Sequence, residues 1–430
     1  MNERRLFIAS CMALVACAMS FSIRADVMPA WAVDFVINEE DVGRVASAAF
    51  LGFALSIAVG SSLCDSLGMR ALLFLACAGH TLGAVATIFA PSYRSLLGAS
   101  FVIGLANGLV EAVINPLCAT LHPQQKTHKL NVLHAWWPAG LILGALGSHL
   151  IGAALGLGWQ VKMALLLAPS VIYGALLIGA KFPVTERAAS GASARAMFGE
   201  CARPGFLVLW LCMWLTAATE LVPAQWVPSV LTRTAQTPGT LVFVYMNVLM
   251  FLLRSFSGRV LRGRSPVAVL WVSAAVSAVG LLALGSARSA LPAYLAATVF
   301  AAGTCFFWPT MLAVASEQFP KGGAFALGMM GTAGNLSIAF FCPRLGAVWD
   351  HYTAKALPPG EDLAGLMARA KVDEAAAQTL EAARAAGASM PFRWAAALPL
   401  ILLVVFGLIW LRHKARGGYQ AVRLERETRP

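Results

Sequence analysis

Charge is what this chain has least of. Asp, Glu, Lys and Arg make up 12% of its 430 residues, against about 25% in an ordinary soluble protein, which excludes a water-soluble enzyme. Acids are the scarcer sign, 20 against 32 Lys and Arg, for a formal charge of +12. The basic residues fall mostly between apolar runs, at Arg4, Arg5, Arg70, Lys126, Lys129, Arg187, Arg195, Arg203, Arg259, Arg262 and Arg264 and from Arg412 to Arg429. They therefore read as membrane-topology signals, not as a nucleic-acid surface. Nine cysteines form no C-x-x-C pair and are odd in number, which argues against a disulfide framework or a zinc site. There is no H-E-x-x-H, G-x-S-x-G or G-x-x-x-x-G-K-[ST] pattern, so neither a hydrolase nor an ATP-driven pump is indicated. No cofactor or metal is expected, and energy for any work must come from gradients.

What the chain has in abundance is apolar length. A membrane helix needs about 20 apolar residues, and runs of that kind lie near 6–31, 42–64, 71–90, 95–121, 131–157, 160–180, 204–227, 239–257, 266–286, 291–315, 322–343 and 394–411. This predicts an all-α integral membrane protein with twelve transmembrane helices in two six-helix halves. The expected division is an N-terminal half over 1–181, a cytoplasmic linker over 182–203 and a C-terminal half over 204–411. An outer-face insertion is expected at about 344–391, and a basic cytoplasmic tail over 412–430. The first run follows Arg4 and Arg5 as a signal peptide would, but Arg24, Asp26 and Pro29 interrupt its end, and it reads as a retained helix. Most basic groups then fall in connections after even-numbered helices, which predicts a multi-pass cell-membrane protein with both termini cytoplasmic. The insertion, rich in Ala, Glu and Leu, predicts a soluble helix. Asp26, Pro29 and Trp31 in the first helix recur as Glu220, Pro223 and Trp226 in the seventh. Interrupted segments at matching places in parallel halves point to a solute site between them.

Between the second and third runs stands Ser61-Ser-Leu-Cys-Asp65-Ser-Leu-Gly68-Met-Arg70. It resembles the G-x-x-x-D-R-x-G-R-R/K signature of the major facilitator superfamily, with Ser66 and Met69 in place of two basic residues. The resemblance implies that Asp65, Gly68 and Arg70 form a conformational-switch loop. Glu111-Ala-Val-Ile-Asn115-Pro116 has the E-x-x-x-N-P pattern of the fucose permease group, and Leu130-Asn131-Val-Leu-His134-Ala-Trp136-Trp137 is similar to the segment that follows it there. His134 stands where that group has glutamine and Trp137 where it has asparagine, so fucose itself is not implied. The likeness implies a proton-coupled carrier of a sugar or sugar-like solute, with Asp26 and Glu111 at positions similar to the group's two acids.

The residues themselves point the same way. Asp26, Glu111 and Glu220 lie inside apolar runs, where each charge costs about 2.5 to 3.5 kcal/mol on insertion scales. A carboxyl poised between two water-filled states can take a proton on one side and release it on the other. Glu111 is the first choice for that role; the competing reading ties it permanently to Arg24 or to helix ends. Asp26 is close enough to Arg24 to pair with it, as a second titrating site or as a neutralised couple. Glu220 is expected to bond substrate hydroxyls or to sit at the outer surface, with Pro223 and Pro228 opening its helix.

Further substrate-binding candidates are Arg24, the amides Asn115, Asn131, Asn247, Asn335 and Gln225, the rings Trp136, Trp137, Trp226 and Trp308, and His134. Aromatic faces with a few carboxylates and amides suit a polyhydroxylated ring, whereas each Trp could equally anchor at the lipid interface. His134 could titrate or bond a loop carbonyl, and His80 reads as a packed, satisfied residue. Gly303 to Pro309 suggest a break in the tenth helix. Gly328, Gly331 and Gly334, with Gly104/Gly108 and Gly140/Gly144, suggest close helix approach.

These readings converge on a secondary transporter of a monosaccharide or sugar derivative, working by proton-coupled symport and alternating access as a monomer in the lipid bilayer. Its partners would be the solute, protons and lipid, with no nucleic acid. Two alternatives stay open: a proton-coupled exporter of a more hydrophobic solute, and a transporter-like membrane sensor.

Overall fold

Hydrocarbon offers no hydrogen bonds, so a chain that crosses it must bond its backbone groups internally. The computed structural model describes residues 3–64, 67–122, 132–183, 199–255, 264–319 and 323–420, and the described residues form helices and turns with no strand. The first half holds α1 (Glu3–Asp34), α2 (Glu39–Leu63), α3 (Met69–Ile88), α4 (Tyr93–Leu121), α5 (Trp136–Ala153), α6 (Trp159–Ala164) and α7 (Leu167–Leu177). The second holds α8 (Pro204–Thr234), α9 (Gly239–Ser255), α10 (Pro266–Leu284), α11 (Ala290–Thr304), α12 (Phe307–Gln318), α13 (Gly323–Lys355), α14 (Leu363–Arg369), α15 (Glu374–Gly387), α16 (Met390–Ala395) and α17 (Ala397–Ala415). Nine stretches of the described residues are long and apolar enough to cross a bilayer. With α5, α9 and α13 lying between them, the arrangement is consistent with twelve crossings in two six-helix halves.

Prolines set where these helices break. Pro169 and Pro309 each stand four residues after the C-cap of a helix, Leu165 and Cys305, because the ring clashes with the carbonyl four residues back. The expected break in the tenth span is therefore present. The expected opening of α8 at Pro223 and Pro228 is corrected: α8 is continuous, and so is α1 through Pro29. Neighbours on all sides hold α8, since most of Thr216 to Leu231 is buried, and Thr232 Oγ donates to Pro228 O at 2.8 Å.

The halves meet through α1 with α8, α5 with α9, and α2 with α13. Small residues permit these and the neighbouring approaches. A Cβ on Gly140 would meet Ala18 Cβ of α1 at 2.7 Å, and one on Gly108 would meet Ser56 Cβ of α2 at 2.7 Å. Gly334 lies against the Trp308 ring, but Gly328 and Gly331 have open space around them, which corrects the expectation of close packing there.

The segment after α13 forms two short helices, α14 and α15, capped by the Asp362 and Asp373 side chains. At this end of the bundle the halves are tied by charge. Glu39 and Glu40 at the start of α2 donate their backbone N–H groups to the two Asp350 carboxylate oxygens of α13, at 2.9 and 2.7 Å, a favourable placement of an anion at a helix N-terminus. Arg384 of α15 lies 3.8 Å from Glu39, and Lys371 donates to Asp34 O. Arg233 of α8 pairs with Glu381 of α15 at 3.0 Å. Burial acts against the Glu381 carboxylate, but the Arg233 and Arg384 guanidinium groups beside it hold its carboxyl below the usual range. That tie is present at neutral pH and is lost as the pH falls through the depressed value.

The α2–α13 contact is close enough to test. Gly346 of α13 lies against the Glu39 backbone, and a Cβ on Gly43 of α2 would meet Cys342 O at 2.6 Å. Gly346→Val should destabilise this closed arrangement by about 1–3 kcal/mol through overpacking. Spin labels on the exposed loops of the two halves at the insertion end should then report longer distances by double electron–electron resonance, and unchanged distances would contradict the packing.

Candidate functional site

A cavity opens in the middle of the bundle, walled by Phe21, Trp137, Pro138 and Leu141 from the first half and by α8, α9 and α11 from the second. Its polar groups are few: Glu220 and Gln225 on α8, Asn247 and Arg254 on α9, and Thr304 at the end of α11. The enclosed space is about 30 Å³, room for about two waters, so the halves stand close together around it.

Each polar group has a structural cause. Arg254 Nη2 pairs with Glu220 Oε1 at 2.8 Å, and Arg254 Nε donates to Cys305 O at 2.8 Å. Cys305 O is the carbonyl that Pro309 releases, so one guanidinium satisfies both the buried acid and the helix break. The other Glu220 oxygen, Oε2, is buried without a hydrogen-bond partner. Asn247 Nδ2 donates to Phe243 O one turn back.

Behind the Phe21 and Gln225 wall lies Arg24, buried to 3% exposure. Its Nε and Nη2 both point at Gln225 Oε1, at 3.3 and 3.2 Å, and its guanidinium carbon lies 4.9 and 5.2 Å from the Phe21 and Phe50 ring centres. No carboxylate among the described residues pairs with it. The expected Asp26–Arg24 pair is corrected: Asp26 pairs with Lys162 of α6 at 2.8 Å and accepts from Ser148 at 2.6 Å and from Thr240 of the other half. Arg24 turns toward the interface of the halves, where aromatic faces and an amide oxygen partly offset its charge. Lys162, with a shorter path, takes the acid. A separate cavity of about 440 Å³ borders Asp26, His149, Gln236 and Thr240.

Glu111 lies apart from both groups. Its Oε2 accepts from Asn115 Nδ2 at 2.9 Å, and Asn115 Oδ1 is 2.8 Å from His134 Nε2, forming a chain from α4 to the residues just before α5. It is paired neither with Arg24 nor with any other cation among the described residues.

Of the residues proposed from sequence, the fold brings Glu220, Gln225, Asn247 and Trp137 to the central cavity, with Arg24 immediately behind them. Asn115 and His134 join Glu111 instead. Trp136 is exposed. Trp226 is buried against Trp349, with ring centres 5.7 Å apart. Trp308 packs on Gly334, and Asn335 bonds the Gly331 carbonyl. None of these last four lines the cavity. His80 is fully buried between Asn107 and Tyr173, as a satisfied packing residue should be. In the loop after α2, Gly68 adopts φ +81°, the left-handed region that glycine favours, and Arg70 stands near the Phe74 ring. Asp65 and Asn131 lie outside the described residues. Sequence reasoning missed Arg254 and Lys162 because, Arg24 apart, it weighed acids and not bases within the apolar runs. A search for basic residues within the same runs finds both.

Comparison with known proteins adds a family and a fold. The pattern of the Major Facilitator Superfamily matches residues 7–341. The chain is 26% identical over 218 residues to the 3-(3-hydroxy-phenyl)propionate transporter of Escherichia coli (strain K12), covering 48% of this chain and 51% of that one. It is 28% identical over 138 residues to the D-xylose transporter of Levilactobacillus brevis, covering 32% of this chain and 30% of that one. The aligned regions thus span about half the length or less of these curated relatives. A crystal structure of a D-xylose-proton symporter has the same fold, with a TM-score of 0.69 at 15% identity over 81% of this chain and 90% of that one.

The Glu220–Arg254 pair carries a stability prediction. Arg254→Met should lower stability by about 3–5 kcal/mol, because it leaves a buried carboxylate unpaired. Adding Glu220→Gln should recover part of the loss. Denaturation of the detergent-solubilised protein measures both, and additive or negligible effects would show the two side chains to be uncoupled.

Proposed function

The chain belongs to the Major Facilitator Superfamily and is a multi-pass membrane transporter of small molecules, not an enzyme; from that premise we propose that it is a proton-coupled symporter of a monosaccharide or sugar derivative. The observation that carries the reading is the division of labour among the buried charges. Two acids have cations of their own, Asp26 with Lys162 and Glu220 with Arg254. Among the described residues, Glu111 has an amide partner and no cation.

A half-buried carboxylate without a cation is costly in the membrane and is relieved by a proton. Glu111 is therefore the proton carrier, and its chain through Asn115 leads to His134, at the end of α5 where the charge pattern puts the cytoplasm. The termini are cytoplasmic in this reading, α14 and α15 face outward, and the protein works as a monomer in the cell membrane.

The solute binds in the central cavity among Trp137, Gln225, Asn247 and Glu220, where flat apolar walls and a few polar groups match a ring with a hydroxylated rim. The names of the relatives, a D-xylose transporter and a transporter of an aromatic hydroxy acid, support a small polar solute. In the alternating-access cycle the halves rock about this site. The ties of α2 and α15 at the insertion end must open to admit solute and proton from outside. Gly68 and Arg70, two residues of the expected switch loop, follow the opposite end of α2. A proton moving inward gains about 2.3 kcal/mol per 100 mV of membrane potential.

Purified protein in proteoliposomes tests the reading with a panel of pentoses, hexoses and sugar acids. An inward proton gradient should drive accumulation by the native chain. Glu111→Gln should lose accumulation while keeping solute exchange at equal pH. Accumulation that survives in Glu111→Gln would remove it from coupling, and flux indifferent to the gradient would make the protein a uniporter.

A further inference from the structure

Among the described residues, Arg24 is the one buried cation at the interface of the halves whose partner is neutral. Lys162 and Arg254 each face a carboxylate, whereas the Arg24 guanidinium faces an amide oxygen and two phenyl rings. Removing a charge from water without an opposite charge is strongly unfavourable. Its two bonds to Gln225 Oε1, at 3.3 and 3.2 Å, lie at or beyond the long end of the usual range. Resting on the transport reading above, we propose that the solute is a hydroxylated monocarboxylic acid whose carboxylate docks on Arg24.

The geometry gives the acid both of its ends. Nε and Nη2 of Arg24 already point at one oxygen, the fork that receives a carboxylate through two parallel bonds; the carboxylate takes the place of the Gln225 carbonyl. At the other end the Glu220 Oε2 atom is buried and unbonded, an acceptor without a donor, which a solute hydroxyl supplies. Gln225 and Glu220 stand five residues apart on α8, about 7.5 Å along the helix axis, within the length of a six-carbon hydroxy acid. Phe21 and Trp137, with ring centres 5.1 Å apart, wall one side.

The charge limits the acid to a single negative group. Arg24, Arg254 and Glu220 together carry +1, and the Asp26–Lys162 pair is neutral. A monocarboxylate balances the site; a phosphate dianion would leave it negative beside Glu220. A neutral sugar would leave Arg24 as it is.

The test pairs each acid with its neutral alcohol: D-glucuronate with D-glucose, and meta-hydroxyphenylacetate with the corresponding phenylethanol. Thermal stabilisation and tryptophan quenching of the purified full chain give affinity, and proteoliposomes give flux. The acids should bind and their alcohols should not. Arg24→Gln should bind the acids at least about 30-fold more weakly, the range for a buried charge pair that loses one partner, and Arg24→Lys should restore part of the affinity. Without ligand, Arg24→Gln should melt at a higher temperature than the native chain, because it removes an unbalanced buried charge. A purely structural arginine would show the opposite shift.

Acids that bind but do not cross would defeat the transport reading and leave this assignment standing. Alcohols carried in preference to acids would defeat the assignment and leave transport standing. It is also overturned if none of the acids binds, or if Arg24→Gln binds them as the native chain does.

Discussion

A charge inside a membrane bundle must be answered from within the bundle, and the architecture of this transporter follows from how each one is answered. Lys162 answers Asp26 across α1 and α6, and Arg254 answers Glu220 across α8 and α9. Arg254 also closes the backbone gap that Pro309 opens, so one side chain joins the charge pair to the hinge of the tenth span. Among the described residues two groups are left with neutral partners, Arg24 and Glu111. The satisfied charges hold helices together, and the proposed roles in solute and proton binding fall on the two that are not.

The packing explains how such a site stays closed until it is needed. Glycines let α2 and α13 approach to backbone contact, and Asp350 caps the start of α2 from the opposite half. At the insertion end those contacts include ion pairs and backbone–carboxylate bonds tied to the short helices after α13. They can be exchanged for water when the halves rock, whereas the apolar seams within each half cannot. The central space of about 30 Å³ is, in the proposed cycle, a contracted site that enlarges when the interface opens.

Much of the fold was legible in the sequence because the bilayer imposes a length and a polarity that apolar runs record directly. Most spans read from sequence agree with the helices to within a few residues, but α8 continues to Thr234 where the run ended near 227, α13 continues to Lys355 where the run ended near 343, and the runs at 160–180 and 291–315 each form two helices. The last turns of α13 are held by Asp350 and Trp349 against other helices, a tertiary effect that hydropathy does not carry. The continuity of α8 through two prolines was missed for the same reason: buried neighbours stabilise a helix that local propensity would break. The site was legible in part. Acids in apolar runs stand out, and Glu220 is legible that way, with the amide of Gln225 five residues beyond it. Which cation each acid takes depends on helix rotation and depth, so Asp26 was matched with its sequence neighbour Arg24 and not with Lys162, 136 residues away. Trp226 and Trp308 were placed in the cavity because aromatic rings serve packing and binding equally well in sequence.

The most direct test of the division between satisfied and unsatisfied charges is infrared difference spectroscopy of the purified protein between acidic and alkaline buffer, read at the carbonyl band of protonated carboxylic acids. If Glu111 is the carboxyl that takes up the proton, the band is lost in Glu111→Gln and kept in Asp26→Asn and Glu220→Gln. Loss of the band in either of the latter two, with Glu111→Gln unchanged, would contradict the account.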